Sequence, residues 1–142
     1  SKRIRVNLIS TVTNQGELRF MAYKGSMNAQ VMIKFMRQLI KHANRKVFLI
    51  LDNLRVHHSK LVKKWAADNA EMIELFYLPS YSPELNPDEY FNCDLKAELN
   101  KRAPTRNEKQ MTRKVRSVLY SLQKQPARIK SYFQHQNIAY AA

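Results

Sequence analysis

Residues 47–51, Val-Phe-Leu-Ile-Leu, form an unbroken apolar run that stops at Asp52-Asn53. Such a run is too short for a helix and carries β-branched members, so it predicts a strand. Apolar side chains at every position predict that both its faces are buried, as in a parallel sheet. Ile73-Glu74-Leu75-Phe76-Tyr77-Leu78 predicts a second core strand. Between the two, Leu61, Val62, Trp65 and Ala66 mark a short amphipathic helix that stops near Asp68-Asn69. Strand, helix and strand over about 30 residues make a βαβ unit with a right-handed crossover.

The flanking segments read differently. Ile4, Val6 and Leu8 alternate with polar residues, Asn14-Gln15-Gly16 interrupts the run, and Leu18–Tyr23 resumes it. That pattern predicts a β-hairpin. Gly25-Ser26 closes it, with Ser26 or Asn28 as candidate caps of a helix of about four turns. Val31, Phe35, Met36, Leu39 and Ile40 form the apolar stripe of that helix. Three prolines in residues 79–87 predict a stiff extended loop. A helix follows with Asn86 as N-cap, Pro87 as first residue, and Phe91, Leu95 and Leu99 as its stripe. Ala103-Pro104 is the candidate linker, and Thr105-Arg106-Asn107-Glu108 has the form of a capping box. Met111, Val115, Val118, Leu119 and Leu122 lie on one face of the next helix, which Pro126 ends before a short helix in 127–135.

At 142 residues the chain has the length of one domain. No apolar run is long enough to span a bilayer, and the lone Cys93 has no partner for an internal disulfide. A start at Ser1 rather than Met suggests a fragment or a processed chain. The net charge of +14 is unevenly placed. Residues 1–50 carry ten bases and one acid, residues 51–100 five bases and nine acids, and residues 101–142 ten bases and one acid. A basic chain with an acidic middle fits a polyanion-binding surface around a site that holds cations. A solvated basic face without a partner would give the same counts.

Two acids stand out within the acidic middle. Asp52 follows the buried run directly, where open α/β sheets place ligand groups beyond the carboxyl ends of their strands. The structural alternative is an Asx turn made by Asp52-Asn53. Glu89 opens a helix, and with Asn86 as cap it would reach back to the cap amide as an ordinary capping residue. Asp88 competes with it, about 100° around the helix. His57, His58 and Cys93 do not make the tight ligand pairs of a zinc site, and with two glycines the chain has no phosphate-binding Gly loop. Tyr77, Tyr81, Tyr90 and Phe91 could stack on bases, although such residues are more often core or rim.

Together, VFLILDNLRVHHS and IELFYLPSYSPELNPDEYFNCDLK resemble the second half of the catalytic domain of insertion-sequence transposases, in the bacterial branch of the Tc/mariner (DDE) superfamily. Asp52, Asn53, His57, Leu78, Pro79, Tyr81, Ser82, Pro83, Leu85, Asn86, Pro87 and Glu89 match that family's pattern. The resemblance implies an α/β fold, a ribonuclease-H-like mixed sheet flanked by helices. Residues 1–103 would form the core and 104–142 a helical C-terminal extension packed on it. It implies Asp52 and Glu89 as catalytic metal ligands of a two-metal Mg²⁺ or Mn²⁺ site, cutting transposon-end DNA and joining it to target DNA. It implies a homodimer or higher assembly on DNA in the bacterial cytoplasm, at the nucleoid and without a membrane. Arg55, His57, Lys60, Lys63, Lys96, Arg113 and Lys114 are the candidate DNA contacts. The family's first Asp, on the central strand, has no counterpart, because Glu17 alone precedes Asp52 among the acids and sits by the Gly16 turn. Without that strand two edges would be exposed mid-sheet. The alternative reading is a catalytically inactive DNA-binding or dimerisation fragment.

Overall fold

The computed structural model describes residues 5–142, so Ile4, the first apolar position of the expected hairpin, lies outside the described residues. Among the described residues, four strands form two two-stranded sheets, one antiparallel and one parallel. The chain divides into two compact units: residues 24–86, and residues 1–23 together with 87–142.

In the unit of residues 24–86, helix α1 spans Ala29–His42, strand β3 Val47–Leu51, helix α2 Lys60–Asp68 and strand β4 Ile73–Tyr77. Asn28, not Ser26, caps α1, its side chain accepting the Val31 amide at 2.9 Å. Ser59 caps α2 by accepting the Val62 amide at 3.2 Å. Strands β3 and β4 run parallel with Leu51 opposite Tyr77, and the Leu78 amide extends the ladder to the Leu51 carbonyl at 2.7 Å. The βαβ reading therefore holds. The buried side chains are Met32, Phe35 and Met36 on α1, Leu49 and Leu51 on β3, Val62 on α2, and Ile73 and Leu78. One expectation fails: β3 is buried on one face only. Leu49 and Leu51 point inward, whereas Phe48 is 62% exposed, and Ile50 and Phe76 are exposed beside it. Side chains alternate across a strand, and an apolar run does not say which faces are covered.

The other unit begins with the expected hairpin, strand β1 Asn7–Val12 against β2 Leu18–Tyr23. It continues with helix α3 Pro87–Asn100, α4 Glu108–Gln123 and α5 Pro126–Ser131, and ends in a 3₁₀ turn at Gln136–Ala141. One core joins them: Leu18 from β2, Phe91 and Leu95 from α3, Val115, Val118, Leu119 and Leu122 from α4, and Ile129, Tyr132, Phe133 and Ile138 beyond. Helices on both sides of residue 103 share this core. The cap of α4 also differs from expectation. Asn107 accepts the Gln110 amide at 2.9 Å, and the Gln110 side chain accepts the Arg106 amide at 2.9 Å, while the Thr105 hydroxyl lies against the Met111 sulfur. Arg128 ties α5 to α3, donating to both Asp94 oxygens at 2.7 and 2.5 Å and to Glu98 at 2.6 Å.

Candidate functional site

Asp52 stands immediately beyond the last residue of β3, at the carboxyl end of the parallel pair. The 3₁₀ turn Arg55–His58, closed by the His57 amide on the Leu54 carbonyl at 3.0 Å, swings His57 back onto it. His57 Nδ1 lies 2.9 Å from Asp52 Oδ1 and 3.0 Å from the Asp52 carbonyl oxygen. Oδ1 is buried against the imidazole, although the Asp52 side chain as a whole is 41% exposed.

His57 is itself nearly buried, at 8% exposure. Burial by itself would lower the imidazole's pKa, but hydrogen bonds to the Asp52 side chain and carbonyl, with the nearby negative charge, outweigh it and raise the net value. Two further contacts fix the turn. The Tyr77 hydroxyl, from the end of β4, donates to the His57 carbonyl at 2.6 Å. The His58 ring stacks on Tyr77 with centroids 4.1 Å apart and meets the Asn53 side-chain oxygen through Nε2. Asn53 in turn donates to Ser80 Oγ at 2.5 Å, tying the loop after β4 to the end of β3. Tyr77 and Ser80 were not singled out for this supporting role. They lie 20 and 27 residues from the groups they hold, and only the parallel register brings them there.

The proline-rich segment is not purely extended, because Pro83–Leu85 forms a 3₁₀ turn. The Asn86 amide donates to the Pro83 carbonyl at 3.0 Å. Of the two acids opening α3, Asp88 is engaged with the hairpin, accepting from Ser10 Oγ at 2.8 Å, and Glu89 is exposed. The boundary between the units falls between Asn86 and Pro87, so Asp52 and Glu89 belong to different units.

The remaining sequence candidates separate. Arg55, Lys60 and Lys63 are exposed around the Asp52 turn and α2, whereas Lys96 on α3 and Arg113 on α4 are exposed and Lys114 half-buried in the other unit. His57, expected among the DNA contacts, is turned inward onto Asp52. Of the aromatics, Phe91 is core, Tyr90 stacks on His135 and Tyr77 on His58. Tyr81 is fully exposed at a φ of 55°. Oxygen donors suit a hard divalent cation. Among the described residues, however, no three His, Cys, Asp or Glu side chains gather to hold one, so the donor chemistry fits and the ligand number is incomplete. Among these residues, too, no helix is long and apolar enough to cross a membrane.

Comparison with known proteins agrees with this architecture. Three solved structures share the fold, each covering 96% of this chain. They are the catalytic domain of Mos1 mariner transposase (14% identity, TM-score 0.64, 79% of that chain) and the Mos1 transposase catalytic domain with Raltegravir and Mg (13%, 0.64, 81%) or Mn (13%, 0.63, 80%). No curated protein matches at a comparable level. The family profile described as DDE superfamily endonuclease matches residues 1–112. With a mixed α/β fold of the ribonuclease-H-like transposase type and a match across most of its length, the chain belongs to the DDE superfamily of endonucleases.

Proposed function

We propose that the chain is part of the catalytic domain of a transposase of the Tc/mariner group, in its bacterial insertion-sequence branch, acting on transposon-end and target DNA. Asp52 and Glu89 would be two ligands of a Mg²⁺ or Mn²⁺ site. A bound pair of such ions would activate water or a 3′-hydroxyl and stabilise the leaving oxygen in an in-line displacement. The chain's own groups do the positioning. His57 holds the Asp52 backbone and side chain, Tyr77 holds His57, and Asn53 with Ser80 ties the neighbouring loop. The observation that carries the reading is the position of Asp52 immediately beyond β3, at the carboxyl end of the parallel pair, with His57 Nδ1 2.9 Å from its Oδ1. Exposed bases Arg55, Lys60, Lys63, Lys96 and Arg113, with Lys114, would meet DNA phosphates. An assembly of two or more copies on DNA, in the bacterial cytoplasm, completes the proposal.

Manganese binding followed by electron paramagnetic resonance tests the site. Binding weakened by at least about tenfold in Asp52→Asn is expected, from the loss of a charged ligand. Equal binding by wild type, Asp52→Asn and Glu89→Gln would remove both residues from the site. With no third carboxylate gathered among the described residues, these 142 residues alone should not nick DNA. Metal-dependent nicking abolished by Asp52→Ala would overturn that expectation while supporting the ligand assignment.

The incomplete ligand set also favours a second reading, a DNA-binding or dimerising module without catalysis. Salt-sensitive DNA binding, indifferent to Asp52→Ala and Glu89→Gln and accompanied by no metal binding, would establish it instead.

A further inference from the structure

The apolar stripe of α4 is used up in its own unit's core, and its other side carries a second pattern. Arg113, Arg116, Ser117, Tyr120, Ser121 and Lys124 line one open groove of about 580 Å³. Their spacing of three or four residues places them along one face of the helix. From Arg113 to Lys124 the stripe runs about 16 Å, at roughly 1.5 Å per residue. The only acid in α4 is Glu108, at its first residue.

The charges in this groove are uncompensated. Among the described residues the cationic partners in ion pairs are Arg19, His57, Lys64, Lys101 and Arg128, and none of them lines the groove. Arg128 shows the contrast, locked between Asp94 and Glu98. Arg102 adds a further cation by donating to Ser117 Oγ at 2.9 Å. Ser117 accepts that bond and Ser121 accepts one from Gln125 at 3.3 Å, so each hydroxyl keeps its own proton for an incoming oxygen. Tyr120 stands among the bases at 53% exposure, held edge-on by Phe20 with ring centroids 5.7 Å apart. Cations, hydroxyl donors and an aromatic ring in one row match a phosphodiester backbone and its bases.

We propose that this face of α4 is a binding track for a nucleic-acid strand, with Arg113, Arg116 and Lys124 on its phosphates and Arg102 behind them. It uses none of the residues of the Asp52 site; Arg113 is among the phosphate contacts proposed above, and the track rests on that reading in the choice of polyanion.

The test is fluorescence anisotropy of the 142-residue chain on single-stranded and duplex DNA of about 20 nucleotides, titrated over salt. Removing Arg113, Arg116 and Lys124 together as glutamines should lower the slope of log K against log salt by about 2 to 3, at about 0.9 per duplex phosphate contact and about 0.7 per single-strand contact. Arg116→Gln alone should take about a third of that. The control is Lys34→Gln with Arg37→Gln and Lys41→Gln on α1, exposed positions with the same loss of charge. It should shift the slope by less than about 1. Equal slopes for both triple variants, each checked for native circular dichroism, would overturn the track in favour of diffuse charge. So would polyglutamate competing as well as DNA with the same sensitivity to the α4 variants, which would assign the groove to an acidic protein. Tyr120→Ala distinguishes the two forms of the ligand. A loss of about five- to tenfold on single strands alone marks an unpaired strand, and equal effects on both mark duplex. Manganese binding is read separately, so the Asp52 site and this track fail independently.

Discussion

Two glycines with left-handed backbones separate conformational need from steric need. Gly16, in the hairpin turn, has a φ of 89°, and Gly25 has a φ of 76°. A Cβ on Gly25 would meet nothing within 4 Å, whereas one on Gly16 would fall 2.6 Å from the Pro126 carbonyl oxygen and 2.8 Å from its Cβ. Gly25→Ala should therefore cost only the left-handed penalty, about 1 to 2 kcal/mol. Gly16→Ala should cost about 1 to 3 kcal/mol more, because the start of α5 must also shift. Chemical denaturation of both variants checks the difference, and equal losses would show that the Gly16–Pro126 approach is unimportant. Tyr81 is the converse case, a fully exposed ring on a left-handed backbone. Tyr81→Asn should leave stability within about 0.5 kcal/mol or raise it, since Asn tolerates that conformation better. A loss well beyond that by thermal melting would mean the ring makes contacts in solution.

At the scale of the element, α5 is pinned by the Arg128 cluster. The Asp94 carboxyl is held below the usual carboxylate range, chiefly by hydrogen bonds from Arg128, with Tyr132 assisting against the opposing effect of burial. Glu98 is lowered as well, by Arg128 and then Lys101. Because both native pKa values are depressed, their contribution is complete above the unfolded value near 4 and is lost as pH falls through the native values. Unfolding followed by circular dichroism should thus show stability declining below about pH 4, and Arg128→Met should flatten that decline. Near neutral pH the same substitution should cost about 2 kcal/mol through its lost bonds to Asp94. A parallel pH profile for wild type and Arg128→Met would refute the role given to this cluster. The α4 cap belongs to the same scale: Asn107→Ala should cost about 1 kcal/mol, because the Gln110 amide loses its acceptor.

The whole molecule carries an apolar sheet face on view. Phe48, Ile50 and Phe76 are exposed, with the Phe48 and Phe76 rings 6.0 Å apart. Two-stranded sheets are marginal on their own, and exposed apolar surface of this kind favours association. The chain should therefore enhance the fluorescence of a hydrophobic dye, and Phe48→Ser with Phe76→Ser should reduce that signal without a large loss of stability. Unchanged dye fluorescence in the double variant would show that this face is covered in solution.

Local patterns made most of the elements legible. Apolar alternation marked the hairpin, three- and four-residue spacing marked the long helices, and a short apolar run ending in Asp52 marked the parallel strand. These are near-neighbour effects, carried by propensity and burial within one element. The motif around Asp52 and Glu89 likewise identified the family, because its residues lie close in sequence. Burial on the far face of β3, the true cap of α4 and the role of Asp88 were not legible, since each depends on what another element brings. The same holds for His57 and Tyr77. Their types were visible in the chain, but the Arg55–His58 turn folds His57 back onto Asp52, and parallel pairing of β3 with β4 brings the Tyr77 hydroxyl to the His57 carbonyl. The sequence by itself determined which elements form. The tertiary structure decided that Asp88 meets Ser10 and that Asp94 meets Arg128, because those partners lie 78 and 34 residues away along the chain.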